Sequence, residues 1–303
     1  MRKRICVFIG EIAQDYQRIV AQNAVKRANS LGYDVVFICS YGSYNEDFLY
    51  AEGEKSCITL PDCSMFDGII VTEDVFDIDG MPDELYEIIK KTAKCPVVYL
   101  RSTRDGCYSI QAENKASIES VVRHFTDVHG FTDICYMSGK KEAEDAQERL
   151  EGYLSVMAEK GIEVNEHMIF HGDYWRYKGD QAVDWFMEGR EKYPQAIVCA
   201  NDYMALSVVD ELEKRGIRIP EDICISGFDD VPGCTEIASP LTSIKTIPTE
   251  YLYKTLELLD RAWAGEELEH FHYVDYHIIY RESCGCGKTE KHDISLDSRN
   301  RLI

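Results

Sequence analysis

The chain has 303 residues, with 33 basic against 54 acidic side chains and a formal net charge of −21. Hydrophobic residues make up 45%, too many for a disordered chain, and the length suits about two domains, each able to bury a core. The acidic balance argues against direct nucleic-acid or membrane-surface binding by this segment, because phosphate contacts need clustered Lys and Arg.

The N-terminus reads MRKRICVFIGEIAQDY. Its basic start and short apolar run are superficially like a signal peptide, but Gly10-Glu11 breaks the run after Ile9. A signal core needs roughly 7–15 apolar residues, so the segment is read as a first β-strand near 5–9. An amphipathic helix from about Tyr16 to Leu31 follows, then strand VVFI (35–38), a helix near 46–56, strand GIIV (68–71), a helix near 83–93, strand VVYL (97–100) and a short strand at 108–110. Ile118, Val121, Val122, Phe125 and Val128 form one apolar stripe of a further helix. The pattern then repeats: strand 133–137, helix 143–160, strand 168–170, helix 179–192, strand 196–200, a helix carrying Ala205, Val208, Val209 and Leu212, strand 223–228, a helix carrying Leu252, Leu256, Leu259 and Trp263, and a last strand over 273–280. Continuous apolar strands alternating with helices predict an α/β protein of two doubly wound parallel-sheet lobes. Ligands of such sheets bind outside the carboxyl ends of the strands, and two lobes facing each other make a cleft.

The twelve cysteines mostly sit inside strand-like runs such as ICVFI and AIVCA. They read as small buried hydrophobes in a reducing, cytoplasmic setting, not as a disulfide framework. No run approaches the roughly 18 apolar residues that a membrane span needs. The polar tail from Lys288 to Ile303 reads as a linker or frayed end, and the chain is expected to be cut from something longer.

The second half carries an ordered series of motifs: Arg149-Leu150-Glu151-Gly152-Tyr153, Gly172-Asp173-Tyr174, Ala200-Asn201-Asp202-Tyr203-Met204-Ala205, Gly216 to Ile223, Ser226-Gly227-Phe228-Asp229-Asp230 and Ser239-Pro240-Leu241-Thr242-Ser243-Ile244. This series resembles the effector-binding domain of the LacI/GalR family, related to type I periplasmic sugar-binding proteins, over about residues 4–284. The resemblance implies two lobes joined by a three-strand hinge, with crossings near Gly130, near Lys245 and over 269–273. The lobes are then 1–129 plus 246–268 and 130–245 plus 270–285, with 286–303 as tail. It also implies a homodimer, ligand-driven lobe closure and no enzymatic activity. Relatives usually begin with a helix-turn-helix DNA reader; Met1 stands almost on the first strand, so that element is expected to be absent here. The segment from Arg281 to Gly287 resembles the end of sensor modules fused to a C-terminal output domain of GGDEF, histidine-kinase or AraC type.

In the matching positions of the family, Arg149 reaches ligand hydroxyl or carboxylate groups, for which its fork of donors is suited. The alternative is a surface arginine paired with Glu148 or Glu151. Asp229, at a strand's carboxyl end, can accept two hydrogen bonds from vicinal hydroxyls or base N–H groups; an Asx turn or helix cap is the alternative, and suits Asp230 better. Asn201 is read as a ligand-facing amide with Asp202 as the cap of the next helix, or the reverse. Tyr174 and Trp175 suit stacking on a sugar face or a base, or serve as core or lid aromatics. Asp145 shares a helix face with Arg149. Gln14, Asp15, Tyr16, Glu113 and Asn114 complete the candidates, with Ser40 and Tyr41 weaker. Unpaired, the acids Asp15, Glu113, Asp145 and Asp229 repel an anion, so the leading ligand is a sugar and the second a nucleobase or nucleoside.

No cofactor is called for. A dinucleotide G-x-G-x-x-G, a P-loop, H-E-x-x-H and G-x-S-x-G are all missing. Cys284-x-Cys286 with His292 is a weak metal signal, and no metal site is assigned. A transport receptor or a non-catalytic scaffold remains the alternative function.

Overall fold

The computed structural model describes residues 2–12, 15–41, 48–76, 78, 80–246 and 248–286; at Asp15, Tyr16, Phe48, Asp74, Pro248 and Thr249 it describes the backbone alone. In chain order the strands are β1 Arg4–Ile9, β2 Asp34–Cys39, β3 Gly68–Thr72, β4 Val97–Leu100, β5 Tyr108–Ala112, β6 Ile134–Ser138, β7 Ile169–His171, β8 Ala196–Cys199, β9 Cys224–Phe228, β10 Thr242–Thr246, β11 Phe271–Val274 and β12 Tyr276–Ile279. The α-helices are α1 Asp15–Leu31, α2 Phe48–Thr59, α3 Met81–Thr92, α4 Asn114–Arg123, α5 Glu144–Glu159, α6 Gly179–Met187, α7 Asp202–Lys214 and α8 Pro248–Trp263. The alternation expected from the sequence is therefore present, in two units.

The first unit comprises Met1–Ala112 and Ile247–Val274. Its sheet runs β11-β5-β4-β3-β1-β2, and all neighbours are parallel. Strand β1 shows why both faces are covered. Ile5, Val7 and Ile9 enter one core with Val20 and Ala24 of α1 and Leu252, Leu256 and Leu259 of α8. Cys6 and Phe8 point the other way, into a second core with Ile58 of α2 and Met81, Leu85 and Ile89 of α3. The period of two along a strand puts successive side chains on opposite faces, so a strand buried on both sides reads as an unbroken apolar run.

The second unit comprises Glu113–Thr246 and the chain from Asp275 onward. Its sheet runs β12-β10-β9-β8-β6-β7, parallel except for the β10–β12 pair. The order reverses between β6 and β8, since the chain goes out to β7 before returning. That is the switch point beside which ligands bind in open α/β sheets.

Three expectations are corrected. The first lobe boundary lies between Ala112 and Glu113, not near Gly130, because Ile118, Val121, Val122 and Phe125 of the 114–128 segment belong to the second unit's core. The other two crossings fall at 246/247 and 274/275. The single strand expected over 273–280 is two strands, parted at Asp275: β11 pairs with β5 in one sheet and β12 with β10 in the other. The helix expected over 179–192 stops at Met187, ahead of Gly189 at φ 69°.

Candidate functional site

The second unit gathers the strongest candidates at the carboxyl ends of its strands. Arg149 lies mid-way along α5 and is only 5% exposed. Its Nε donates to Asn114 Oδ1 at 2.9 Å, its Nη1 donates to the Ala200 carbonyl just after β8 at 2.7 Å, and its Nη2 lies 3.5 Å from Asp145 Oδ2. The guanidinium carbon sits 3.8 Å from the ring centre of Phe228, the last residue of β9. This is not the surface arginine of the alternative reading: Glu148 instead accepts from Asn114 Nδ2 at 2.9 Å, and Glu151 pairs with Lys115 at 3.6 Å.

The rest of the RLEGY motif explains how this arginine is set. At Gly152 a Cβ would come within 2.5 Å of the Lys115 carbonyl, so glycine is what lets α5 close on α4. The Tyr153 ring stacks on Tyr136 at 5.0 Å and its hydroxyl donates to the Ile134 carbonyl at 2.8 Å. Asn114 opens α4 and is buried, and Glu113 occupies the cap position before it.

Tyr174 follows β7 with φ 73°. Its ring lies where a side chain on Gly139 would be, with a Cβ there 2.2 Å from Cζ. Burial pushes its phenol well above the usual range, with Arg149 opposing and Asp145 reinforcing. Trp175 is 44% exposed and stacks on Tyr203 at 6.1 Å. Asp229 follows β9 with φ 107°, its N–H donating to the Ile244 carbonyl at 2.7 Å. Its charge acts on Arg149 and on Asp202. Asp230 is engaged elsewhere, by Lys245 at 2.7 Å and Arg281 at 2.5 Å.

Of the two assignments open in the sequence, the reverse one holds only for Asn201 as the cap; Asp202 is neither the cap nor exposed to a ligand. Asn201 is the cap of α7: its Oδ1 accepts from Met204 N–H at 2.9 Å and its Nδ2 donates to the Tyr174 carbonyl at 2.9 Å. Asp202 is fully buried and accepts from Val231 N–H, the Cys234 thiol and the Ser243 hydroxyl. Burial and the nearby Asp229 push it up to about 7. Asn201 ties the loop after β8 to the loop after β7, and Asp202 ties the start of α7 to the loop after β9.

Arg149, Asn114, Asp145, Tyr174, Asn201 and Asp229 therefore share one neighbourhood, around an enclosed cation. Within this group Asp145, Asp229 and Tyr174 keep exposed surface, and the adjacent Trp175 is exposed. They offer carboxylate acceptors and aromatic faces, the equipment for recognising hydroxyl or N–H groups on a flat or half-apolar ligand. Gln14 and the side chains of Asp15 and Tyr16 lie outside the described residues. Ser40 is buried, and Tyr41 is exposed with its N–H donating to Glu54.

His292 also lies outside the described residues. Cys284 and Cys286 are not in a frayed tail; their sulfurs lie beside His124 and His129. The sequence by itself assigns no metal and gives these histidines no role. His129 stands 157 residues before Cys286, and nothing local to either histidine signals the partnership, whereas the Arg149 neighbourhood is marked by an ordered motif series.

Residues 122–284 match the periplasmic binding protein-like domain family. The HTH-type transcriptional repressor PurR of Photobacterium profundum is 31% identical over 196 residues, covering 64% of this chain and 56% of that protein. The HTH-type transcriptional regulator AscG of Escherichia coli is 28% identical over 176 residues, covering 57% of this chain and 52% of that protein. The chain thus spans about half the length of these relatives. The crystal structure of the Escherichia coli transcriptional repressor ascG superposes with a TM-score of 0.72 at 23% identity, over 93% of this chain and 98% of that one.

Proposed function

Because the chain belongs to the periplasmic binding protein-like domain family, as a sensor domain of the LacI-like kind, we propose that it binds a small neutral or cationic effector for a transcriptional regulator or signalling protein. One observation carries the reading. A buried arginine is pinned beside the switch point of the second sheet by Asn114, Ala200 and Asp145, with Asp229, Tyr174 and Trp175 at the strand ends around it. Acceptors and rings outnumber accessible cations there, which favours a polyhydroxylated ligand first and a nucleobase or nucleoside second. The proposed response is a shift between two arrangements of a homodimer, of which the ligand binds one better. An output partner, fused or separate, reads that shift. Catalysis is not part of the proposal.

The proposed compartment is the cytoplasm, where twelve free thiols stay reduced. Among the described residues no helix is long and apolar enough to cross a membrane.

The test is a thermal-shift screen of ligand-stripped protein against sugars, polyols, nucleosides and amino acids, with Asp229→Ala and Arg149→Lys alongside. A ligand that binds the native state must raise its apparent stability. The expected result is a compound that shifts the parent and shifts both variants much less. No shift with any compound would turn the reading toward a scaffold without a ligand.

A further inference from the structure

Outside the arginine neighbourhood, one cluster of chemically potent side chains has no part in the proposed function. His124, His129, Cys284 and Cys286 each direct one ligand atom into a common point, and the four atoms lie within 4.8 Å of one another. His124 Nε2 is 3.2 Å from His129 Nε2 and 3.2 Å from Cys286 Sγ, and His129 Nε2 is 3.4 Å from Cys286 Sγ. A tetrahedral zinc ion, with Zn–N of about 2.05 Å and Zn–S of about 2.3 Å, has N···N edges of about 3.4 Å and N···S edges of about 3.5 Å. Three edges are therefore close to their metal-bound lengths, and bringing in Cys284 Sγ asks for a movement of about 1 Å.

Two backbone features produce this convergence. Helix α4 runs into a single π-helical turn, His124–Val128. A π turn bonds residue i to i+5 and is frequent at functional sites; it brings His124 and His129, five apart, into phase. Between the two cysteines, Gly285 adopts φ 85°, which turns the chain so that both sulfurs reach the same side. The surroundings are aromatic: Tyr280 lies 4.3 Å from His124 and Phe131 lies 5.1 Å from His129, ring centre to ring centre; Cys284 is fully buried and the other three ligands are half-buried.

We propose that His124, His129, Cys284 and Cys286 form a structural zinc site that clasps the segment around Cys284 to the turn after α4. Two thiolates and two imidazoles without a carboxylate suit zinc and not calcium or magnesium. Four protein ligands leave no open position for catalysis. Both thiols lose their protons on binding, so each zinc ion bound releases two protons and affinity falls as pH falls. The site stands independently of the ligand-sensing proposal.

The test is a titration of Zn2+ into the reduced, chelator-treated chain, with metal content by mass spectrometry and Co2+ as a spectroscopic substitute. One Zn2+ per chain is expected, with a raised melting temperature, and the Co2+ form should show thiolate-to-cobalt charge transfer and tetrahedral d–d bands. Cys286→Ser and His129→Asn should each weaken Zn2+ binding by on the order of 100-fold or more, while Cys57→Ser on α2 and His292→Ala should bind as the parent does. Failure of the folded, reduced parent to bind Zn2+ stoichiometrically would overturn the site. So would a Co2+ spectrum without thiolate bands, which needs no variant. Loss of binding in His292→Ala would reassign the ligands.

Discussion

At Arg149 the electrostatics are decided by burial. A guanidinium enclosed to this degree is stable only while its partners stay in place, and removing it strands Asn114, the Ala200 carbonyl and Asp145. Arg149→Ala should therefore destabilise the chain by about 3 kcal/mol, the usual cost of breaking a buried charged pair, read from urea unfolding. For that reason ligand effects on this variant must be compared as increments over its own melting temperature. Asp202 has the opposite sign of interest. Its pKa is raised to about 7 in the fold, so the folded state holds this proton more tightly than the unfolded chain. Its contribution is full at acid pH, declines as pH rises from about 4 to about 7, and is level above that. Asp202→Asn removes the titration. The stability difference between variant and parent should move in the variant's favour between about pH 4.5 and about pH 7.5; an unchanged difference would show that Asp202 titrates normally.

At the level of elements, the approach of α4 to α5 carries the site. Asn114 on one helix and Arg149 on the other meet because Gly152 presents no side chain to Lys115. Gly152→Ala gains about 1 kcal/mol of helix propensity but meets a carbonyl at 2.5 Å, and overpacking of that kind costs about 1–3 kcal/mol. A net loss of stability is expected in urea unfolding, together with weaker effector binding, because the separation of the helices displaces the Arg149–Asn114 bond. The same pair of helices explains the corrected boundary. The stripe Ile118, Val121, Val122 and Phe125 marks a helix in the sequence, but a stripe does not state which core receives it. Periodicity carries the type of an element and the face it buries, and says little about its partner.

For the whole molecule, a net charge of −21 means self-repulsion at neutral pH. Salt screens it, with a Debye length that falls from roughly 14 Å near 0.05 M to roughly 4 Å near 0.5 M. The melting temperature should rise over that range. A fall would mean that surface ion pairs such as Arg123–Glu159 and Arg218–Asp222 outweigh the net repulsion.

The two βα series are legible in the chain alone, because strands buried on both faces must be apolar throughout and helices covering them must carry a stripe. So is the neighbourhood of Arg149, through an ordered set of motifs, each a local strand end or helix start. Packing in three dimensions settled the rest. It parted the last apolar run at Asp275 between two sheets, since hydrogen-bond pairing has no local signature. It made Asn201 the cap and Asp202 the buried acceptor, a choice set by Tyr174, Val231, Cys234 and Ser243. It brought His124 and His129 to Cys284 and Cys286, because residues so far apart in the chain meet only through packing around a shared core.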